Sequence, residues 1–218
     1  MLVNDCMTRH PILISPEIPA SEAQQIMAEN NIRHLPVTGG GKRLEGLITR
    51  RSFALAPDVL ASLDVWDITR YLSGLKVKNI MLRKEKIYTI TSDKTVERAA
   101  QTMNEHKIGC LPVMEDDVVV GIITEADLLD ALQKMLGMPE AGVRVTVRMP
   151  DRPGEFAKLS DALGENNMGV TGIGTYPSRR RDGYWDVVLK IRRVSVPDVE
   201  AVLSKIPDQE IIDLRDVV

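Results

Sequence analysis

Aromatic side chains are scarce in this chain, with two Trp, two Phe and four Tyr among 218 residues. Its cores must therefore be built from Val, Ile, Leu, Ala and Met. Cysteine is nearly absent too. Cys6 and Cys110 sit in apolar surroundings without CxxC spacing, which argues against a disulfide framework and for reduced, buried small side chains. The three histidines, His10, His34 and His106, lack the i,i+4 or carboxylate-paired spacing of a metal site, so no metal is expected. A formal net charge of −3 leaves no footprint for nucleic acid or an anionic membrane. No run approaches the roughly 20 apolar residues of a membrane-spanning helix. The start, Met1-Leu2-Val3-Asn4-Asp5, has neither the basic stretch nor the apolar run of a secretory signal, so a cytoplasmic location is expected. No Ser-His-Asp, Cys-His or zinc pattern offers catalysis, and no catalytic residue is assigned.

What is present is a repetition. Val77-Lys78-Asn79-Ile80-Met81 echoes Val3-Asn4-Asp5-Cys6-Met7. Ile108-Gly109-Cys110-Leu111-Pro112-Val113 echoes Ile32-Arg33-His34-Leu35-Pro36-Val37, and Gly121-Ile122-Ile123-Thr124 echoes Gly46-Leu47-Ile48-Thr49. Met7 to Met81, Pro36 to Pro112 and Thr49 to Thr124 are 74, 76 and 75 residues apart. Two copies favour a closed pair with pseudo-two-fold symmetry over a solenoid, because each unit buries its open face on the other. The seam of such a pair holds two related clefts, where small molecules bind.

Each copy reads as strand, helix, strand, strand, helix. Ile12-Leu13-Ile14 and Lys86-Ile87-Tyr88-Thr89-Ile90 predict the opening strands. Ser21 opens a helix in the first copy, and Ser92-Asp93-Lys94-Thr95 supplies N-cap residues in the second. Cys110–Met114 and Val118–Ile123 predict a hairpin around Glu115-Asp116-Asp117, and Gly39-Gly40-Gly41 fills the matching turn of the first copy. With no Gly-Lys-Ser/Thr and no helix after it, that glycine run is a turn rather than a phosphate loop. A segment over 57–76, rich enough in Leu, Ile, Trp and Tyr for one or two packed helices, separates the copies. Beyond Leu136-Gly137-Met138-Pro139 the pattern changes to a βαββαβ order over 143–218. The expected fold is α+β: repeat 1 over 1–56, helical linker 57–76, repeat 2 over 77–135, linker 136–142, and a ferredoxin-like domain over 143–218.

Gly121-Ile122-Ile123-Thr124-Glu125-Ala126-Asp127 is the sharpest motif. A strand ends in Thr124 and Asp127 follows at a helix start, so hydroxyl and carboxylate can face one cleft. A carboxylate accepts paired hydrogen bonds from the two vicinal hydroxyls of a ribose. Equally, Thr124 at N-cap with Asp127 at N3 suits a helix start with no ligand at all.

The repeats resemble the tandem cystathionine-β-synthase-type (CBS) repeat, on His34-Leu35-Pro36-Val37 with Gly46–Thr49 and Cys110-Leu111-Pro112-Val113 with Gly121–Asp127. The resemblance implies an adenosyl effector (AMP, ADP, ATP, S-adenosylmethionine or NAD) and no obligatory cofactor. It assigns the adenine to backbone around Ile108, Gly109, Cys110, Leu111 and Pro112, and the ribose and phosphate to Thr124 and Asp127. The matching first-copy residues are Ile32, His34, Pro36, Thr49 and Ser52, where Ser52 replaces the expected Asp. Arg9 and Arg83 follow Met7 and Met81 at one spacing, as phosphate partners or as surface charges.

The C-terminal third resembles the ACT domain on Asp151-Arg152-Pro153-Gly154-Glu155-Phe156-Ala157-Lys158-Leu159. That resemblance implies an amino acid held by Asp151, Arg152, Pro153, Gly154, Glu155, Phe156 and Asn167. Arg179-Arg180-Arg181 reads as a solvated hairpin tip. The whole order resembles the bacterial acetoin-utilisation protein family. The expectation is a non-catalytic, ligand-sensing homodimer with small-molecule effectors and an unidentified regulated enzyme. The alternatives are a regulatory subunit of an enzyme complex, in acetoin or other small-metabolite metabolism, and a purely structural dimerisation protein.

Overall fold

The computed structural model describes residues 1–54 and 74–217. They form two compact units, Met1–Leu128 and Leu129–Val218. The helical insert expected over 57–76 falls for the most part outside the described residues.

The first unit runs α1 (Val3–Cys6), β1 (Thr8–Arg9), α2 (Ala20–Glu29), β2 (His34–Thr38) and β3 (Leu44–Thr49), closing on a 3-10 turn at Arg50–Phe53. The second copy repeats this as α3 (Val77–Ile80), β4 (Leu82–Arg83), α4 (Val96–His106), β5 (Cys110–Glu115), β6 (Val118–Thr124) and α5 (Glu125–Met135). The boundary between the two units falls inside α5.

The copies exchange their first strands. One sheet has the order β1-β6-β5 and the other β2-β3-β4. Thr8 lies opposite Ile122 and Arg9 opposite Gly121, while Leu82 and Arg83 lie opposite Leu47 and Gly46. The cores follow the exchange. Val3, fully buried, packs with Ile90, Ala99, Met103, Leu111, Val113 and Ile123 of the second copy. Val77, also fully buried, joins Ile14, Ala23, Met27, Leu35, Val37 and Ile48 of the first. This explains two repeated letters. A side chain at Gly121 would stand 2.6 Å from Met7 Sδ, and one at Gly46 would strike Met81. Each repeat glycine makes room for the other copy's methionine.

The expected strands at Ile12–Ile14 and Lys86–Ile90 shrink to single bridges, Ile14 beside Val37 and Ile90 beside Val113. Ile14 N–H donates to the Pro36 carbonyl at 3.1 Å, and Thr38 N–H donates to the Ile14 carbonyl at 2.9 Å. The next rung would need an N–H from Pro36, which proline lacks, and Pro112 stops the ladder at Ile90 in the same way. Ser21 is not the cap of α2. That helix starts at Ala20 behind Pro19, whereas α4 is capped as expected, Arg98 N–H donating to Thr95 Oγ1 at 3.3 Å. The β5–β6 hairpin turns on Asp116 and Asp117, both at positive φ (46° and 65°), as a two-residue hairpin loop requires.

The second unit holds β7 (Gly142–Pro150), α6 (Glu155–Glu165), β8 (Gly169–Pro177), β9 (Tyr184–Arg192), α7 (Val196–Leu203) and β10 (Glu210–Val217). Its sheet is antiparallel in the order β10-β7-β9-β8, the ferredoxin-like arrangement expected. Alternate residues Val143, Val145, Val147 and Met149 meet Leu159 and Leu163 of α6 and Val199 and Leu203 of α7 on one face. The opposite face carries Thr146, Arg148, Asp186 and Lys190, all buried. There Arg148 grips Asp186 through Nε at 2.7 Å and Nη2 at 3.0 Å. The segment Leu136–Met138 lies on this face: a side chain at Gly172 would strike the Leu136 backbone, and Lys190 Nζ reaches Met138 Sδ at 3.7 Å.

Candidate functional site

Among the described residues of the first unit, two clefts are each built from both copies. One, of about 490 Å³, sets Thr124 and Asp127 against Ile32, Arg33 and His34, with Thr8 and His10 from the exchanged strand. The other, of about 550 Å³, sets Thr49 against Ile108, Gly109 and Cys110, with Ile87 and Tyr88 from the second copy's opening segment. Their sizes suit small ligands. Arg33, His34, Gly109 and Glu125 line both.

This partition departs from the sequence reading, which grouped Ile108–Pro112 with Thr124 and Asp127. Of that run only Gly109 reaches the Asp127 cleft; Ile108 and Cys110 face Thr49. Leu111, Pro112 and Pro36 are buried. The repeats meet face to face, so each Thr-bearing strand end points at the other copy's strand start. Spacing along one copy could not reveal that.

Thr124 and Asp127 form a closed helix-start box. The backbone N–H of Thr124 donates to Asp127 Oδ2 at 2.7 Å, the Thr124 hydroxyl donates to the same oxygen at 2.8 Å, and Asp127 N–H reaches Thr124 Oγ1 at 3.4 Å. The capping role and the ribose role are therefore compatible. The box uses Oδ2, and a carboxylate has about four lone-pair positions. In the first copy Thr49 N–H donates to Ser52 Oγ at 3.1 Å. Ser52 reproduces the cap with its only side-chain oxygen and brings no second acceptor. It lies half-buried and lines neither cleft.

Arg9 and Arg83 are exposed on β1 and β4, outside both clefts, and Arg9 Nη2 donates to the Asn4 carbonyl at 3.1 Å. The cleft cations are others: Arg33 in both, and Arg50, Arg51, Lys86 and Lys107 in the Thr49 cleft. A signal for them was present. Thr49-Arg50-Arg51-Ser52 stands where Thr124-Glu125-Ala126-Asp127 stands in the second copy, so the charge inverts between equivalent positions.

Burial lowers the His34 imidazole pKa below its usual value, with Arg33 adding to the effect and Glu125 opposing it. Burial, then Glu125, pushes the Cys110 thiol up to about 12, which leaves it protonated and inert at neutral pH. No three His, Cys, Asp or Glu side chains gather as a metal site among the described residues.

In the second unit the Asp151–Phe156 loop is tied to itself. Glu155 is 2% exposed, and its Oε1 accepts from Arg152 Nε at 2.6 Å and Lys158 Nζ at 2.8 Å. Arg152 also reaches Asp208 at 2.7 Å, and Gln209 Nε2 donates to the Glu155 carbonyl at 2.7 Å. Lys158 first, then Arg152, holds the Glu155 carboxyl at about 2 despite burial. Gly154 (φ 90°) takes the left-handed turn into α6 behind Pro153, and Asn167 (φ 54°) ends that helix, its N–H on the Gly164 carbonyl at 3.1 Å. Asp151 is exposed at the loop start. Of the residues proposed for a ligand here, Phe156 lines a groove of about 310 Å³, with Leu163, Met168, Val170 and Ile173 as apolar wall.

The comparisons with known proteins match two domain types along the chain. The CBS domain family model matches residues 3–57 and 77–134, and the ACT domain model matches 143–208. An L-aspartate semialdehyde sulfurtransferase of Methanocaldococcus jannaschii is 32% identical over 130 residues, 58% of this chain and 22% of that protein. A homoserine O-acetyltransferase of Methanocorpusculum labreanum is 30% identical over 129 residues, 59% of this chain and 23% of that protein. The chain thus spans less than a quarter of these relatives. A crystal structure of a Vibrio cholerae protein with a proposed role in acetoin utilization (AcuB) superposes with a TM-score of 0.50 at 29% identity, covering 60% of this chain and 89% of that one.

Proposed function

The chain belongs to the CBS domain family and carries an ACT domain behind its paired repeats, and on that premise we propose that it is a non-catalytic sensor of an adenosyl ligand. The observation that carries this reading is the Thr124–Asp127 pair at the start of α5, facing Ile32–His34 across a cleft of about 490 Å³. Backbone around Ile32–His34 receives the adenine, and the Asp127 carboxylate receives the ribose hydroxyls. The Thr49 cleft, with Ser52 in place of a carboxylate, is the weaker ribose site.

An amino acid at the ACT domain is the second proposed effector. Since Arg152 and Glu155 are held in ion pairs, its contacts fall to Phe156, Asp151 and the backbone around Gly154. The assembly is a homodimer: Leu129, Leu132 and Met135 leave an exposed apolar stripe along α5, and β8 is a sheet edge with Val170, Ile173 and Tyr176 exposed. Light scattering that gave a 24.2 kDa monomer would contradict this. No helix among the described residues is long and apolar enough to cross a membrane, and the proposed location is the cytoplasm. Enzymes among the relatives favour one second reading, a regulatory subunit whose partner chain does the chemistry.

A thermal-shift screen of AMP, ADP, ATP, S-adenosylmethionine, NAD and amino acids tests the sensor reading. At least one adenosyl compound should raise the melting temperature; no shift with any of them would leave only a structural dimerisation role.

A further inference from the structure

A row of like charges crosses the sheet of the second unit on the face away from its helices. Arg215 on β10 lies opposite Arg144 on β7, Arg144 opposite Lys190 on β9, and Lys190 opposite Gly172 on β8. Like charges directly opposite each other in a sheet repel. One carboxylate, Asp213, serves both arginines: Arg144 Nη1 donates to its Oδ2 at 2.7 Å, and Arg215 Nε to its Oδ1 at 2.9 Å. Lys190 is left out. It is 3% exposed, yet its ammonium, with three donors to place, reaches only the Met138 thioether at 3.7 Å. No acid pairs with it among the described residues, and a buried charge without a counter-charge is costly. The segment Leu136–Met138 covers it, and the two ends of that segment are held differently. Leu136 is seated on glycines, since a side chain at Gly172 would stand 2.2 Å from its carbonyl carbon and one at Gly174 3.1 Å from its Cδ2. Gly137 (φ 81°) closes α5 directly over the lysine, with Met138 N–H on the Gln133 carbonyl at 2.9 Å. Beyond the backbone the hold is slight. Met138 is 43% exposed, and its sulfur is a weak acceptor that a stronger one displaces. Glu140, two residues further on, is exposed and makes no ion pair among the described residues.

We propose that Lys190 and Arg144 form a binding site for a small carboxylate, which enters as the Met138 side chain turns aside and takes the place of its sulfur. The charge deficit sets the class of ligand. One buried positive charge is unmatched, so a single negative charge balances it, whereas a dianion would carry an excess into a covered slot. Arg144 spends Nη1 alone, on Asp213 and on Thr146 Oγ1 at 3.4 Å, which leaves its Nε and Nη2 for a second bond to the same carboxylate. The site shares no residue with the Asp151–Phe156 loop or with either cleft. It rests on neither the adenosyl nor the amino-acid reading, and it stands or falls without them.

Methyl NMR on the full chain with labelled methionine, titrated at one ionic strength with sodium acetate, sodium phosphate or sodium chloride, tests this. The Met138 signal, identified by its absence from Met138→Leu, should shift saturably with acetate and stay still with chloride. Lys190→Met should weaken acetate binding about tenfold or more, the loss expected for a charge-assisted hydrogen bond. It should also melt no lower than wild type, because it removes a buried charge that nothing balances. Met138→Glu places a carboxylate beside the lysine, and it should raise the melting temperature in the wild-type background but not in Lys190→Met. An acetate response that survives in Lys190→Met, or none in wild type, would overturn the site. So would a Lys190→Met variant that melts below wild type, or a Met138→Glu variant that melts no higher. Phosphate binding more tightly than acetate would overturn the carboxylate as occupant.

Discussion

The Thr124 hydroxyl and the Thr124 backbone N–H converge on one oxygen of Asp127, at 2.8 and 2.7 Å. One carboxylate therefore starts α5 and faces the cleft, and its two duties are separable by substitution. Asp127→Ala should cost about 1 kcal/mol in urea denaturation through loss of the cap. Asp127→Ser, copying the Thr49–Ser52 arrangement, should recover most of that stability. Equal losses for both variants would show that the box contributes nothing beyond side-chain volume.

The strand exchange makes the first residues of the chain part of the second copy's core. Val3→Ala should cost about 1–3 kcal/mol, the range for removing two buried methyl groups with partial relaxation. Hydrogen exchange should accelerate in β5 and β6, near Leu111 and Ile123, more than in β2 and β3. Val77→Ala should show the reverse pattern, since Val77 packs in the first copy's core. Faster exchange confined to each variant's own copy would contradict the exchange.

Glu155 sets an acid limit on the second unit. Its folded pKa is held at about 2, below the ordinary 4.5, by Lys158 and Arg152. A depressed carboxyl stabilises the fold above its unfolded pKa, and that contribution fades as pH falls from about 4.5 towards about 2. Melting temperature should therefore drop over that window in the wild type, and Glu155→Gln should flatten the drop while lowering the plateau above pH 5. Parallel curves for the two proteins would remove Glu155 from the account.

Arg148 and Asp186 face each other across β7 and β9 and are nearly shut off from solvent, with side chains 9% and 7% exposed. Asp186→Ala leaves a buried guanidinium without a partner and should cost about 3 kcal/mol or more. Replacing both, as Arg148→Met with Asp186→Leu, should recover much of the loss. If the double variant were as unstable as the sum of the singles, the pair would be holding more than each other.

Much of this was legible in the sequence because its signals are local. The βαββαβ order of the second unit followed from alternation in Val143–Met149 and Trp185–Ile191 and from the turn at Pro153-Gly154. The two repeats followed from their shared Met, Leu-Pro-Val and Gly–Thr landmarks. What stayed hidden depends on which copy packs against which. Met7 and Gly121 belong to different copies yet touch, and Thr124 looks across at Ile32–His34 instead of Ile108. The predicted strands at Ile14 and Ile90 failed for a reason that lies in a neighbouring strand, the missing N–H of Pro36 and Pro112. Arg50 and Arg51 were readable by aligning one copy on the other, but they gained meaning only once the fold had placed them with Lys86 and Lys107 on one wall. In the ACT loop the motif foretold the turn at Gly154 into α6 but not that Arg152 and Glu155 hold each other.

The central claim is that an adenosyl ligand sits in the Thr124 cleft with its ribose on Asp127. Calorimetric titration of wild type and Asp127→Ser, using whichever adenosyl compound gives the larger thermal shift, tests it most directly. The serine variant keeps the helix cap, so folding is not what changes. The carboxylate's charge-assisted bonds contribute roughly 1.5–3 kcal/mol. The account predicts one ligand per chain at this cleft, bound about ten- to a hundredfold more weakly by Asp127→Ser. Unchanged affinity in that variant would contradict it.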